Sequence, residues 1–175
     1  MNAERSSEKV RMVHGMLQEH NGMNPIVIDR DILRDADTDS RVKVHPCNWN
    51  GCDMHVGVEH KQVAKHLQQH HGINASATSK AAQEIACLWK GCLDSHTKPG
   101  NLARHILTHI EVRHICLTCQ SSFSRDDAFR RHTTEKIGCQ YAEVAISYGA
   151  EVQAIDTLCM DSGWSISQNV MCIPL

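Results

Sequence analysis

Aromatic residues are scarce in this chain of 175 residues, with three Trp, two Tyr and two Phe. That excludes one large aromatic-rich core and points to several small units. No uninterrupted apolar run is long enough to span a bilayer, so neither a transmembrane helix nor a membrane partner is expected. Behind Met1-Asn2-Ala3-Glu4-Arg5 there is no apolar stretch of the secretory kind, and secretion is not expected. The sequence also lacks H-E-x-x-H, a nucleophile elbow and a phosphate-cradling glycine loop. No enzyme and no small-molecule substrate are therefore expected. Residues 141–175 hold no Lys or Arg at all, against 4 Asp and Glu.

What the chain has in excess is nine Cys and thirteen His. An odd cysteine number argues against a complete disulfide framework, and Cys and His at fixed spacing read as metal ligands. Charge is uneven behind a net value of −2: residues 41–140 hold 13 Lys and Arg against 8 Asp and Glu, while residues 1–40 hold 5 against 8. A basic centre between acidic ends suits a polyanionic partner.

The ligand candidates fall into three spaced sets. Cys47-Asn48-Trp49-Asn50-Gly51-Cys52 is followed by His66, His70 and His71. Cys87-Leu88-Trp89-Lys90-Gly91-Cys92 repeats it and is followed by His105 and His109. Cys116 and Cys119 are followed by His132 and then by Cys139. Thirteen, twelve and twelve residues separate the second Cys from the first His in the three sets. A cysteine pair on a turn and a histidine pair one helical turn apart can close a tetrahedral site around Zn²⁺. Three zinc ions are expected, each enclosed by four protein ligands with no open position for an activated water. The metal would supply stability that modules this small cannot draw from their few apolar residues. Cys139 lies farther from its His than usual and needs a non-helical detour, which Gly138 permits.

At these residues, over about 44–140, the sequence resembles the C2H2 zinc-finger superfamily. Cys-x-Trp-x-x-Cys in two consecutive fingers is similar to the tandem CWCH2 arrangement of the Gli and Zic families. Two such fingers followed by a C-x2-C finger resemble the DNA-binding region of the fungal PacC family. The resemblance implies small zinc-stabilised ββα modules, the first two packed as one unit, with largely disordered or weakly helical ends. It implies that Trp49 and Trp89 meet between fingers one and two; the alternative is that each covers only its own zinc site. It also implies that finger one mainly supports finger two and contacts DNA little. The four-residue gap used by the tandem families favours His71 as the last ligand of finger one, with His70 the alternative. The third finger is a CCHC variant. The implied divisions are 1–43 (an acidic N-terminal segment), 44–72 (finger one), 73–84 (linker), 85–110 (finger two), 114–140 (finger three) and 141–175 (an acidic tail).

In such fingers helix positions −1, 3 and 6 meet successive bases in the major groove of double-stranded DNA. Setting the first ligand His at position 7 gives Lys98, Asn101 and Arg104 in finger two. In finger three it gives Arg125 at −1, Asp127 at 2, Ala128 at 3 and Arg131 at 6. Arginine's fork matches guanine O6 and N7, and Asp127 is placed to brace Arg125. A G-rich site, 5′-GNGGAG on the contacted strand, is expected. Finger one offers Glu59, Gln62 and Lys65 and is assigned no bases. The function this implies is sequence-specific DNA binding, hence transcription regulation in the nucleus, with a transcriptional co-regulator as a further candidate partner. The rival readings are a protein–protein interaction module and an RNA-binding finger protein.

The ends say less. Val10, Val13, Met16 and Leu17 fall near helical spacing, which predicts one short helix capped by Ser6 or Ser7, marginal and without a partner, the alternative being a protein-docking helix. Residues 29–41 read as an acidic linker. Ala142 to Ile155 reads as a short helix, and Cys159 and Cys172 read as incidental thiols.

Overall fold

A computed structural model describes residues 8–13, 15–17, 25–34, 41–74, 83–93, 96–157 and 163–173. Three units of one build follow each other. Each is an antiparallel pair of strands and a helix. In the first, β2 (Arg41–Pro46) pairs with β3 (His55–Gly57) and leads to α2 (His60–His71). In the second, β4 (Ile85–Ala86) pairs with β5 (His96–Thr97) ahead of α3 (Pro99–His109). In the third, β6 (Arg113–Cys116) pairs with β7 (Ser122–Phe123) ahead of α4 (Asp126–Glu135). Before them lie β1 (Ile26–Asp29) and α1 (Arg30–Arg34). After them come β8 (Val144–Ser147), β9 (Gln153–Asp156), β10 (Trp164–Ser165) and β11 (Val170–Ile173).

Local chemistry sets the helix limits. The Gln62 side chain accepts from the Glu59 N–H to open α2, and Gly72 in the left-handed region (φ 66°) closes it. Pro99 starts α3, where a missing N–H costs nothing. Asp126 and Asp127 sit at the positive end of α4. The inward faces follow the 3.6-residue period: Val63, His66 and Leu67 on α2, and Leu102, Ala103 and Ile106 on α3.

Both ends depart from expectation. Residues 8–13 and 15–17 are helical, but this helix has a partner: Val10 and Leu17 are buried with Val27, Met54, Val170 and Cys172. Ser6, Ser7 and Cys159 lie outside the described residues. The predicted acidic linker contains the end of β1 and all of α1, and Ile26, Ile28, Ile32 and Leu33 share a core with Val42, Val44, Ile155, Met171 and Ile173. Where the sequence predicts a helix over 142–155, the structure has two strands. β8 adds to the free edge of β6 (Cys116 opposite Val144), and β9 adds to the free edge of β2 (Val44 opposite Gln153). The edges of two short hairpins present unpaired backbone groups, and the tail satisfies both. Gly149 breaks the predicted helix: its N–H donates to Ile110 C=O at 3.1 Å, and a Cβ there would sit 2.8 Å from that oxygen. β11 then pairs with both β1 and β10. Among the described residues, segments of both ends add strands to the molecule. Among those residues no helix is long and apolar enough to cross a membrane.

Candidate zinc centres and nucleic-acid face

The turn between β2 and β3 carries the first cysteine pair. Asn50 (φ 39°) and Gly51 (φ 73°) take left-handed backbone, which folds Cys52 back under Cys47. Facing them on α2 are His66 and His71. The four ligand atoms lie within 4.8 Å of one another. Cys47 Sγ is 3.3 Å from His66 Nε2 and 3.5 Å from His71 Nε2, and Cys52 Sγ is 3.8 Å from His66 Nε2. Zinc bonds of about 2.3 Å to sulfur and about 2.0 Å to nitrogen put tetrahedral ligand atoms roughly 3.5 Å apart, so the cage fits the ion. His70 is turned away, its Nε2 on Asp29 Oδ1 at 2.7 Å. Of the two histidines left open by the sequence, the structure brings His71 to the cysteines.

The second and third sets converge in the same way. Cys92 Sγ is 3.3 Å from His105 Nε2, His109 Nε2 is 3.2 Å from His105 Nε2, and Cys87 Sγ is 4.0 Å from His109 Nε2. Cys119 Sγ is 3.4 Å from His132 Nε2, with Cys116 and Cys139 completing the group. α4 ends at Glu135, Lys136 is extended, and Gly138 (φ 91°) turns the chain so that Cys139 is buried beside the other three.

The first cage is an electronegative surround that favours a cation. Two thiolates this close repel, so without a metal the Cys47 proton is held, first by the hydrogen bond to Cys52 and then by burial. The same contact with Cys47 draws Cys52 strongly downward. Burial would raise the Asp29 carboxyl, but the facing imidazoles of His66 and His70 outweigh it and bring it to about 2. Burial would likewise lower His66, yet the Asp29 and Cys52 contacts lift it to about 9. Zinc and a proton compete for the His66 Nε2 lone pair, and this anionic surround favours either cation.

The first two units are joined at their tryptophans. Trp49 and Trp89 form an antiparallel backbone bridge, closed by Asn50 N–H to Leu88 C=O (3.2 Å) and Lys90 N–H to Asn48 C=O (2.8 Å). Both indoles are buried in one core with Val63, Leu67, Leu102 and Ile106. Trp89 stacks on His109 (5.9 Å, 7° between planes) and reaches His45 of the first unit (5.7 Å). Trp49 lies against His71 at 5.8 Å. Backbone and shared core make the join, while each ring also covers the last histidine of its own cage.

Comparison with known proteins agrees with this build. The chain is 26% identical over 99 residues to the pH-response transcription factor pacC/RIM101 of Kluyveromyces lactis, covering 56% of this chain and 18% of that protein. It is 34% identical over 68 residues to pacC/RIM101 of Emericella nidulans (36% of this chain, 10% of that protein). It is 36% identical over 63 residues to zinc finger protein klf1 of Schizosaccharomyces pombe (33% and 8%). The three units, each a strand pair and a helix around a Cys/His cage, are consistent with zinc fingers of the C2H2 kind, the third with Cys139 in the last ligand place. The chain matches less than a fifth of the length of each of these relatives. Neither a family model nor a solved structure matches the chain.

The three finger helices start in one register, at His60, Pro99 and Asp126, each six residues before its first cage histidine. Glu59, Lys98 and Arg125 therefore hold equivalent N-cap places. In fingers two and three Lys98, Asn101, Arg104, Asp127 and Arg131 are exposed, and Arg125 and Ala128 are partly so. Asp127 Oδ2 holds Arg125 Nη2 at 3.2 Å. Arg104, Arg125 and Asp127 line a cleft of about 1060 Å³ whose other walls include His60 of finger one and Lys43 and Tyr148. Finger one differs. Its Gln62 is buried, Lys65 is ion-paired with Asp31 on α1, and Glu59 opens the helix. Sequence reasoning missed Asp29 and Asp31 because they sit outside the finger motif. The one signal was an apolar strand, Ile26-Val27-Ile28, running straight into an acid.

Proposed function

We propose that the zinc-loaded chain binds double-stranded DNA sequence-specifically through the major groove and so regulates transcription in the nucleus. Zinc, when bound by Cys47, Cys52, His66 and His71 and by the two later cages, supplies the fold that presents the helices. Cys87, Cys92, His105 and His109 hold the second ion; Cys116, Cys119, His132 and Cys139 hold the third. Fingers two and three carry base reading through Lys98, Asn101, Arg104, Arg125, Ala128 and Arg131, with Asp127 bracing Arg125. Finger one supports finger two through the Trp49–Trp89 join. A G-rich site remains the expected target, because arginine's fork suits guanine.

The observation that carries this reading is the contrast between helix faces. In finger one Gln62 is buried and Lys65, though exposed, is ion-paired with Asp31. The equivalent Lys98, Asn101, Arg104 and Arg131 are open to solvent. The relatives' names as transcription factors support the same reading.

Selection from random duplex oligonucleotides tests it. The expected outcome is guanine enrichment at the positions facing Arg125, Arg131 and Arg104, with affinity falling as salt rises while preference over competitor DNA persists. Arg125→Ala and Arg131→Ala should each relax one position by about 1–3 kcal/mol. Equal binding to all sequences by both variants and the unaltered protein would favour a protein-interaction module. Preference for folded RNA over duplex DNA would favour the RNA-binding reading.

A further inference from the structure

We propose that Asp29, a residue outside every finger motif, is the outer-sphere carboxylate of the first zinc site, holding His66 by its Nδ1 so that Nε2 faces the metal. The inference rests on the reading that finger one holds zinc. His66 turns Nε2 toward Cys47 and Cys52, at 3.3 and 3.8 Å. A neutral imidazole that gives Nε2 to a metal carries its proton on Nδ1, and that proton needs an acceptor. His66 is only 2% exposed, and its Nδ1 has no partner at ordinary hydrogen-bond geometry. The carboxylate facing it is Asp29 Oδ2, at 3.5 Å.

Asp29 is itself only 5% exposed, and a buried carboxylate is costly unless matched. Its second oxygen is fixed by His70 Nε2 at 2.7 Å, which leaves the first for His66. The backbone is fixed too: Asp29 lies opposite Val170 in the β1–β11 pair, and Arg30 N–H donates to Asn169 C=O at 2.9 Å. Residues at both ends of the chain thus combine to put one carboxylate behind one ligand. The Asp29, His66 and His70 atoms also lie within 4.8 Å of one another. The 2.7 Å Asp29–His70 contact has the length of a hydrogen bond, which closes the group without an ion. The Asp29 contact fixes the His66 ring and raises its basicity toward the metal.

The test uses the full zinc-loaded chain and its Asp29→Asn and His70→Gln variants. Chelator competition and native mass spectrometry count the ions, and nitrogen-15 NMR follows the His66 ring. The first-site ion is identified by its loss in Cys47→Ser. Asp29→Asn, which keeps the side-chain shape, should weaken zinc at that site by about 10–100-fold and leave the other two unchanged. It should also move the His66 Nδ1–H resonance upfield; His70→Gln should give a smaller change of the same sign. Unchanged first-site affinity with an unmoved resonance overturns the proposal. So does joint release of all three ions with loss of helical circular dichroism, which would mean a role in the fold alone. A fourth ion lost in both variants overturns it in favour of a metal on the Asp29 side. If the unaltered protein binds no zinc at Cys47 and Cys52, the reading of finger one fails first, which separates the two failures.

Discussion

Trp49 and Trp89 show how one residue type serves two ends at once. Each covers a cage histidine, and both fill a core that belongs to neither finger alone. Truncating a buried Trp removes many contacts and leaves a cavity that the rigid turn cannot close. Trp49→Ala is expected to cost about 3–5 kcal/mol of stability, read by denaturant unfolding in saturating zinc. It should also weaken DNA binding, measured by anisotropy, although Trp49 is assigned no base. Gly149 is the opposite case, a site where any side chain is too large. A Cβ there would meet Ile110 C=O at 2.8 Å, and a backbone atom cannot swing aside. Gly149→Ala should lower stability by about 1–3 kcal/mol, seen as a drop in Tm with all ions retained.

Among the elements, the tail strands alter the picture most. β8 completes the sheet of finger three and β9 that of finger one, with Gly149 tied to the segment between fingers two and three. A finger whose own hairpin pairs only two residues with two gains a full four-residue ladder from β8. Removing residues 141–175 should therefore speed amide exchange at Ile115 and Leu117, whose N–H donates to Glu143 C=O at 3.0 Å, and at Val42 and Val44, measured by mass spectrometry, while the amides of α3 stay protected. Equal protection with and without the tail would show that the pairing adds no stability.

Over the whole molecule, metal and tail divide the work of stabilisation. Finger three buries only Cys116, Phe129 and Cys139 as its own cluster, far too little apolar area to fold by itself. On the proposed reading its order comes from zinc and from β8. Chelation of all ions should abolish the helical signal of α4 first. Cys139→Ala should reduce the ions counted by native mass spectrometry from three to two. Retention of three would mean that another group completes the third cage.

The sequence alone pointed to eleven of the twelve cage positions that the structure brings together, because metal ligation imposes spacing that is local: a turn between two cysteines, a helical turn between two histidines. It also placed the register of the finger helices, since the first cage histidine fixes the N-cap seven residues before it. Two matters were open at that level. The choice between His70 and His71 turned on Asp29, which lies 41 residues before His70 and claims it. The tail read as a helix from composition, while its strands exist because two hairpin edges offered partners. Periodicity and ligand spacing are written within a few residues of each other. Strand addition and outer-sphere contacts join residues far apart, so only the tertiary structure could decide them.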